Sequence, residues 1–164
     1  MAAYDREKAV AYAVRYSLKG NPAYRTFDGS GGDCTNFISQ CLHAGGMPME
    51  RGSRFPWWYA RNAWSPSWSV AHALYWCLKN RSKHGTPGLQ GFETFQIEDL
   101  QPGDLIQYER GGRIYHTAMI TQISLDVYGQ PLLLITQHTY NAVNIPWIKP
   151  AAEKSHFMQI RFQP

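Results

Sequence analysis

Two residues, Cys34 and His116, have the types and settings that nucleophilic catalysis requires. Cys34 follows the run Gly29-Ser30-Gly31-Gly32-Asp33. It opens a segment in which Cys34, Phe37, Ile38, Cys41 and Leu42 fall on one helical face, with Asp33 placed as N-cap. A thiol in a first helical turn meets the positive end of the backbone dipole, which favours the thiolate, the species that attacks. The N–H groups of that turn, with Asp33 beside them, can also hold the oxyanion that forms in acyl transfer. Core packing competes with this reading, because Cys34 is the first member of the apolar stripe. Cys41 and Cys77 read as small buried hydrophobes.

A base must come from elsewhere in the fold. Of six histidines, His43 lies near a helix end, His72 on the polar side of its helix, His84 in a Lys/Gly loop and His156 at the start of the last strand, and all four read as solvated. His116 opens the apolar strand Tyr115 to Ile120 and shares a face with Ala118 and Ile120, so it reads as half-buried, either as a base or as a satisfied core histidine. His138 ends the next strand. A hairpin turn centred near Val127 sets His138 opposite His116, as the third group of a triad, while a one-residue change of register substitutes Gln137 or Thr139.

The elements that must position these residues change character midway along the chain. Val10, Ala13, Val14 and Leu18 predict a helix over 5–18, stopped by Gly20-Asn21-Pro22. The Cys34 helix ends at Gly45-Gly46, and a third is predicted over 69–79, with Val70, Ala73, Leu74, Cys77 and Leu78 on one face. Beyond Gly85, short apolar runs punctuated by turns predict strands near 105–108, 114–123, 132–138 and 157–162. The expected class is α+β, with N-terminal helices packed on a C-terminal antiparallel sheet.

Composition bounds the remaining possibilities. The chain has 164 residues, 44% hydrophobic, 14% aromatic and 17% charged, which suits one globular domain over 1–164 and a monomer. The net charge of +4 is spread thinly, so the clustered footprint of a nucleic-acid binder is missing. No apolar run is long enough for a membrane span, and residues 1–8 are too charged for a secretory signal, so an intracellular protein or a missing upstream region is expected. Three cysteines cannot all pair, and no CxxC or HExxH motif points to a metal. The segment Phe55-Pro56-Trp57-Trp58-Tyr59, with Trp64 and Trp68 beyond it, either lines a groove for glycan or peptide or packs over the core. Trp57 and Trp58 are the groove candidates and Trp68 a buried anchor.

The run Asp33-Cys34-Thr35-Asn36-Phe37-Ile38-Ser39-Gln40-Cys41-Leu42, followed by Ala44-Gly45-Gly46, resembles the nucleophile helix of the bacterial putative amidase domain family, which looks related to NlpC-type and CHAP-type wall hydrolases. The likeness continues through Trp68 and its helix, Pro102-Gly103-Asp104-Leu105-Ile106-Gln107-Tyr108, and His116-Thr117-Ala118-Met119-Ile120. Thr35-Asn36 departs from the Ser-Gly that follows the cysteine in NlpC-type enzymes. The resemblance implies a papain-like α+β fold, Cys34 as nucleophile, His116 as base, and a third polar group on the next strand: His138, with Asn141 as the alternative. It also suggests Asn21 or Tyr24 as a side-chain oxyanion donor, although a turn former and a loop aromatic are their structural explanations. The implied activity is cofactor-free hydrolysis of an amide in bacterial cell-wall peptide or glycopeptide. The implied location is outside the cell or on the cell or spore envelope, reached within a larger parent protein or by a separate export route. An acyltransferase on the same fold, or an unreactive wall-binding module, are the alternatives.

Overall fold

In the computed structural model, which describes residues 3–29, 32–148 and 154–164, helices precede strands. Helix α1 (Arg6–Tyr16) starts at Asp5, whose carboxylate accepts the Lys8 N–H. Helix α2 (Cys34–Ala44) follows, then a two-stranded ribbon of β1 (Tyr59–Ala60) and β2 (Ala63–Trp64). A short helix α3 (Pro66–Ser69) leads into α4 (Ala71–Lys83). The main sheet comprises β3 (Gly88–Thr94), β4 (Leu105–Arg110), β5 (Arg113–Leu125), β6 (Pro131–Gln137), β7 (Ala142–Pro146) and β8 (Lys154–Gln163). Its order is β3-β8-β4-β5-β6-β7, antiparallel throughout, with the C-terminal strand inserted between β3 and β4. No helix among the described residues is long and apolar enough to cross a membrane.

The sheet has an apolar layer on each face. On one, Leu105, Met119, Met158 and Ile160 pack with Phe37, Ile38, Leu42, Leu74 and Leu78 of the helices. On the other, Ile106, Tyr108, Ala118, Ile120, Leu133 and Ile135 form a second cluster against Trp147 and Phe157. Fully burying each such aliphatic or aromatic side chain contributes about 2 kcal/mol. Every residue of α2 from Cys34 to Leu42 is buried, so this helix lies inside the molecule rather than on it.

Several sequence expectations shift here. The first helix buries Ala9 and Ala13, flanked by Tyr12 and Tyr16, while Val14 and Leu18 are exposed. The reason is that Arg6 on the same helix is drawn into the structure. Its guanidinium donates to Asp104 at 2.8 Å, to the Pro102 carbonyl at 3.0 Å and to the Ile160 carbonyl at 2.6 Å, and this sets the helix rotation. The predicted helix over 69–79 divides at Val70, which is extended and exposed. The strands expected from the sequence do not include β3 and β7: glycines interrupt β3, and Asn144 and Pro146 break the short, largely exposed β7, so neither shows a sustained apolar run.

Asp104 is fully buried, and burial holds its carboxyl above the ordinary range despite Arg6 and the backbone N–H groups of Ile160 and Gln101. Arg6→Met should therefore cost about 3 kcal/mol, the usual penalty for stranding one member of a buried pair. A urea titration checks this as a lower midpoint at unchanged slope.

Candidate active site

Beyond the pair Met119↔Thr136 the ladder between β5 and β6 ends, and residues 113–118 of β5 keep only β4 as ladder partner. The N-terminus of α2 is fastened at this opening. The Asp33 N–H donates to the Thr139 hydroxyl at 3.0 Å, and an Asp33 carboxylate oxygen meets His138 Nδ1 at 2.7 Å. Thr139 and Tyr140 both have left-handed backbone, a costly state for such residues, and they turn the β6–β7 connection toward α2. Gly32 has φ +104° and a Cβ there would sit 2.7 Å from the Thr139 hydroxyl, so only glycine fits. Ser30 and Gly31 of the approach lie outside the described residues.

This docking brings Cys34 and His116 to the wall of one cleft, near enough that each shifts the titration of the other. A bulge in which Tyr115 is the extra residue puts Ile114 into the helix-side core and His116 on the opposite face, stacked on Tyr108 at 5.3 Å. His116 Nε2 donates to Gln137 Oε1 at 2.8 Å, so Nδ1 is the ring nitrogen left to exchange a proton. The Gln137 amide is itself oriented by its bond to the Tyr140 carbonyl at 3.1 Å. Burial raises the Cys34 thiol, but the bond and charge of His116, the Thr35 hydroxyl and the Thr117 backbone N–H together bring it below its ordinary value. Burial lowers His116, yet the bond and charge of Cys34 and the Gln137 oxygen bring it above its ordinary value. The two shifts favour a thiolate–imidazolium pair.

A buried relay also ends on the sulfur. Gln107 Nε2 donates to the Ala71 carbonyl at 3.3 Å and to Thr117 Oγ1 at 3.1 Å. Having accepted that bond, Thr117 is free to donate to Thr35 Oγ1 at 3.2 Å, and Thr35 in turn to the Cys34 sulfur at 3.6 Å. The amide sets the direction of the chain, and that direction favours the anion.

The side chain that bonds His116 is Gln137, not His138. His138 is turned away from His116: it is 5% exposed, stacks on Phe37 at 3.8 Å, and its Nε2 donates to the Tyr16 carbonyl at 2.7 Å. Asn141 lies in the exposed turn before β7. The bulge at Thr121 and the turn at 126–130 shift the register, so Gln137 falls on the face of Ala118 and His116, diagonal to the base, while His138 falls on the other. The register alternative named in the sequence was thus the informative signal for Gln137.

Other candidates also go elsewhere. The Asp33 side chain makes no cap bond to α2. It accepts from the Phe27 N–H, Asn36 Nδ2 and His138 instead. Asn21 closes a turn and donates to the Tyr12 hydroxyl, and the Tyr24 ring packs against Tyr59 and Trp68. Trp57 is 1% exposed in the core, and Trp58 is half-buried under the Arg51 guanidinium. Neither lines the cleft of about 730 Å³ that holds Cys34 and His116, whereas Tyr108, Tyr115 and Tyr140 do. His156 is not solvated as expected but sits between Glu93 and Glu109. His72 accepts the Ile114 N–H, His43 bonds the Met47 carbonyl, and only His84 is exposed. No group of three or more His, Cys, Asp or Glu among the described residues is placed to hold a metal ion.

Burial pushes Cys77 up to about 11 and Cys41 well above its ordinary value. Iodoacetamide near neutral pH should therefore label Cys34 first, with a midpoint below that of an ordinary thiol. In His116→Ala only burial and weaker donors remain, so labelling at pH 7 should slow about tenfold or more. Equal labelling of all three cysteines, or indifference to His116, would contradict the pair. His138→Ala separates support from chemistry: stranding the buried Asp33 carboxylate should cost about 3 kcal/mol in a urea titration, against about 1 kcal/mol for Gln137→Ala.

The model of the putative amidase domain family matches residues 3–161 of the chain. The uncharacterized protein YhbB of Bacillus subtilis (strain 168) is 42% identical over 145 residues, covering 85% of this chain and 42% of that protein. The uncharacterized protein YjcM of the same organism is 28% identical over 157 residues, covering 87% of this chain and 32% of that protein. The chain thus spans less than half the length of these relatives. No solved structure matches it. Since the match runs from before α1 into β8 and takes in Cys34, His116 and Gln137, the chain belongs to the putative amidase domain family.

Proposed function

We propose that this domain is a cysteine-dependent amide hydrolase. The observation that carries the reading is that Cys34 and His116 line one cleft, with the thiol lowered and the imidazole raised while both are buried. The family supports amide hydrolysis in general. A nucleophile at a helix start, with its base and an orienting amide on adjacent strands of an antiparallel sheet, supports kinship with papain-like NlpC-type and CHAP-type hydrolases.

The Cys34 thiolate attacks the amide carbonyl, forming a C–S bond, and the oxyanion faces the first-turn N–H groups of α2, which the Asp33 side chain leaves uncapped. Collapse breaks the C–N bond as His116 gives its proton to the departing amine. Water then attacks the thioester while His116 takes its proton, and the acid leaves as the thiolate re-forms. Gln137 holds the imidazole plane through both steps. The substrate is an amide of bacterial cell-wall peptide or glycopeptide, met outside the cell or on its envelope. The resemblance to wall hydrolases and the net charge of +4, suited to an anionic polymer, support this choice.

Purified bacterial sacculi, assayed for new amino and carboxyl groups, test the proposal. Wild-type protein should release both, and Cys34→Ala and His116→Ala should lose about 10²-fold or more. The rate should fall at low pH as the thiolate is protonated. It should fall again at high pH as His116 loses the proton owed to the amine, so the acid limb should lie below the ordinary thiol value and the alkaline limb above the ordinary imidazole value. Activity that persists in Cys34→Ala, or acyl groups that pass only to an added amine, would overturn hydrolysis at this thiol.

A further inference from the structure

The cleft around Cys34 and His116 is walled by Tyr108, Tyr115 and Tyr140 and by Ile135, Ile145 and Ile148, and the charge on its lining comes from Arg110. Among the described residues no Asp or Glu lines it. Arg110 ends β4 at the hairpin into β5, and its guanidinium lies over the Tyr115 ring at 4.8 Å. Stacking occupies a face of the guanidinium and leaves its N–H edges free to grip a planar anion in two places. Among the described residues no carboxylate reaches Arg110 within ion-pair distance, whereas Arg6 is held by Asp104 and Arg81 by Glu50. A cation stacked on an aromatic ring, without an acidic partner among the described residues and on a cleft walled largely by aromatic and aliphatic side chains, has the complementarity of a carboxylate next to an apolar group. A cationic substrate would meet Arg110 with no described carboxylate to offset it, since the Cys34 thiolate and the His116 imidazolium balance one another.

We propose that Arg110 anchors a free carboxylate of the substrate, so that the site selects amides carrying a carboxylate beside an apolar side chain. This rests on the reading of Cys34 as an activated nucleophile. The test uses two thiol-alkylating probes that differ only in charge, N-chloroacetyl-leucine and N-chloroacetyl-leucinamide, with Cys34 modification timed by mass spectrometry. Wild-type protein should favour the acid. In Arg110→Gln the acid-to-amide rate ratio should fall about fivefold, the scale of an exposed charge contact, while the amide probe and iodoacetamide keep their rates. Arg113→Gln, which removes the same charge from the other side of the hairpin turn and outside the cleft lining, should leave the ratio unchanged. An unchanged ratio in Arg110→Gln, or an equal fall in Arg113→Gln, would overturn the anchor while leaving the nucleophile in place. A Cys34 inert to iodoacetamide as well would overturn both.

Discussion

The fastening of the α2 N-terminus to the β6–β7 turn is the constraint on which the site depends. It brings Cys34 and His116 together from elements 82 positions apart that no ladder joins, alongside the Thr35–Thr117 hydrogen bond. Asp33 makes the joint. Its N–H is held by Thr139, and its carboxylate by His138, Asn36 and the Phe27 N–H. The His138 ring lies between that carboxylate and the Tyr16 carbonyl, so this buried hydrogen-bonded joint stands one residue from Cys34.

Within that frame the thiol is governed by a contest of opposed effects. Cys41 and Cys77 show what burial does alone: both rise. Cys34 is nearly as buried, at 6% exposure, and yet is lowered. The difference is directional. An imidazole, a hydroxyl and a backbone N–H all present hydrogen to one sulfur, and low dielectric strengthens each of these bonds as it penalises the bare charge. The same burial that silences two cysteines therefore sharpens the third.

What was legible in the sequence followed from local rules. The stripe Cys34, Phe37, Ile38, Cys41, Leu42 located α2, and alternation placed His116 with Ala118 and Ile120 on one sheet face. What was not legible depended on single-residue insertions. The bulge at Thr121 exchanges the faces of Gln137 and His138, and nothing in the pattern of β5 or β6 announces it. Rotation of α1 was misread for a related reason. Hydrophobicity favoured Val14 and Leu18, but a bond set from Arg6 to Asp104, Pro102 and Ile160, about a hundred positions or more away in sequence, outweighed it. Long-range polar contacts leave no periodic trace.

The tryptophan-rich segment illustrates how such contacts specify a site from a distance. A helix buried on all sides gains apolar area at many rotations about its axis, so burial alone does not aim Cys34. The polar residues of α2 do. Trp68 Nε1 donates to Asn36 Oδ1 at 2.8 Å, Trp57 Nε1 to Ser39 Oγ at 3.1 Å, Ser39 in turn to the Trp68 carbonyl at 2.9 Å, and the Tyr12 hydroxyl to Gln40 Oε1 at 2.7 Å. Turning α2 would leave several of these buried groups unpaired, at about 1–3 kcal/mol each, which is comparable to the gain from burying a whole aliphatic side chain. Trp57 and Trp68 therefore cradle α2. Trp68 is the buried anchor that the sequence suggests, while Trp57, a groove candidate there, bears on the cleft only through the angle at which it holds Cys34.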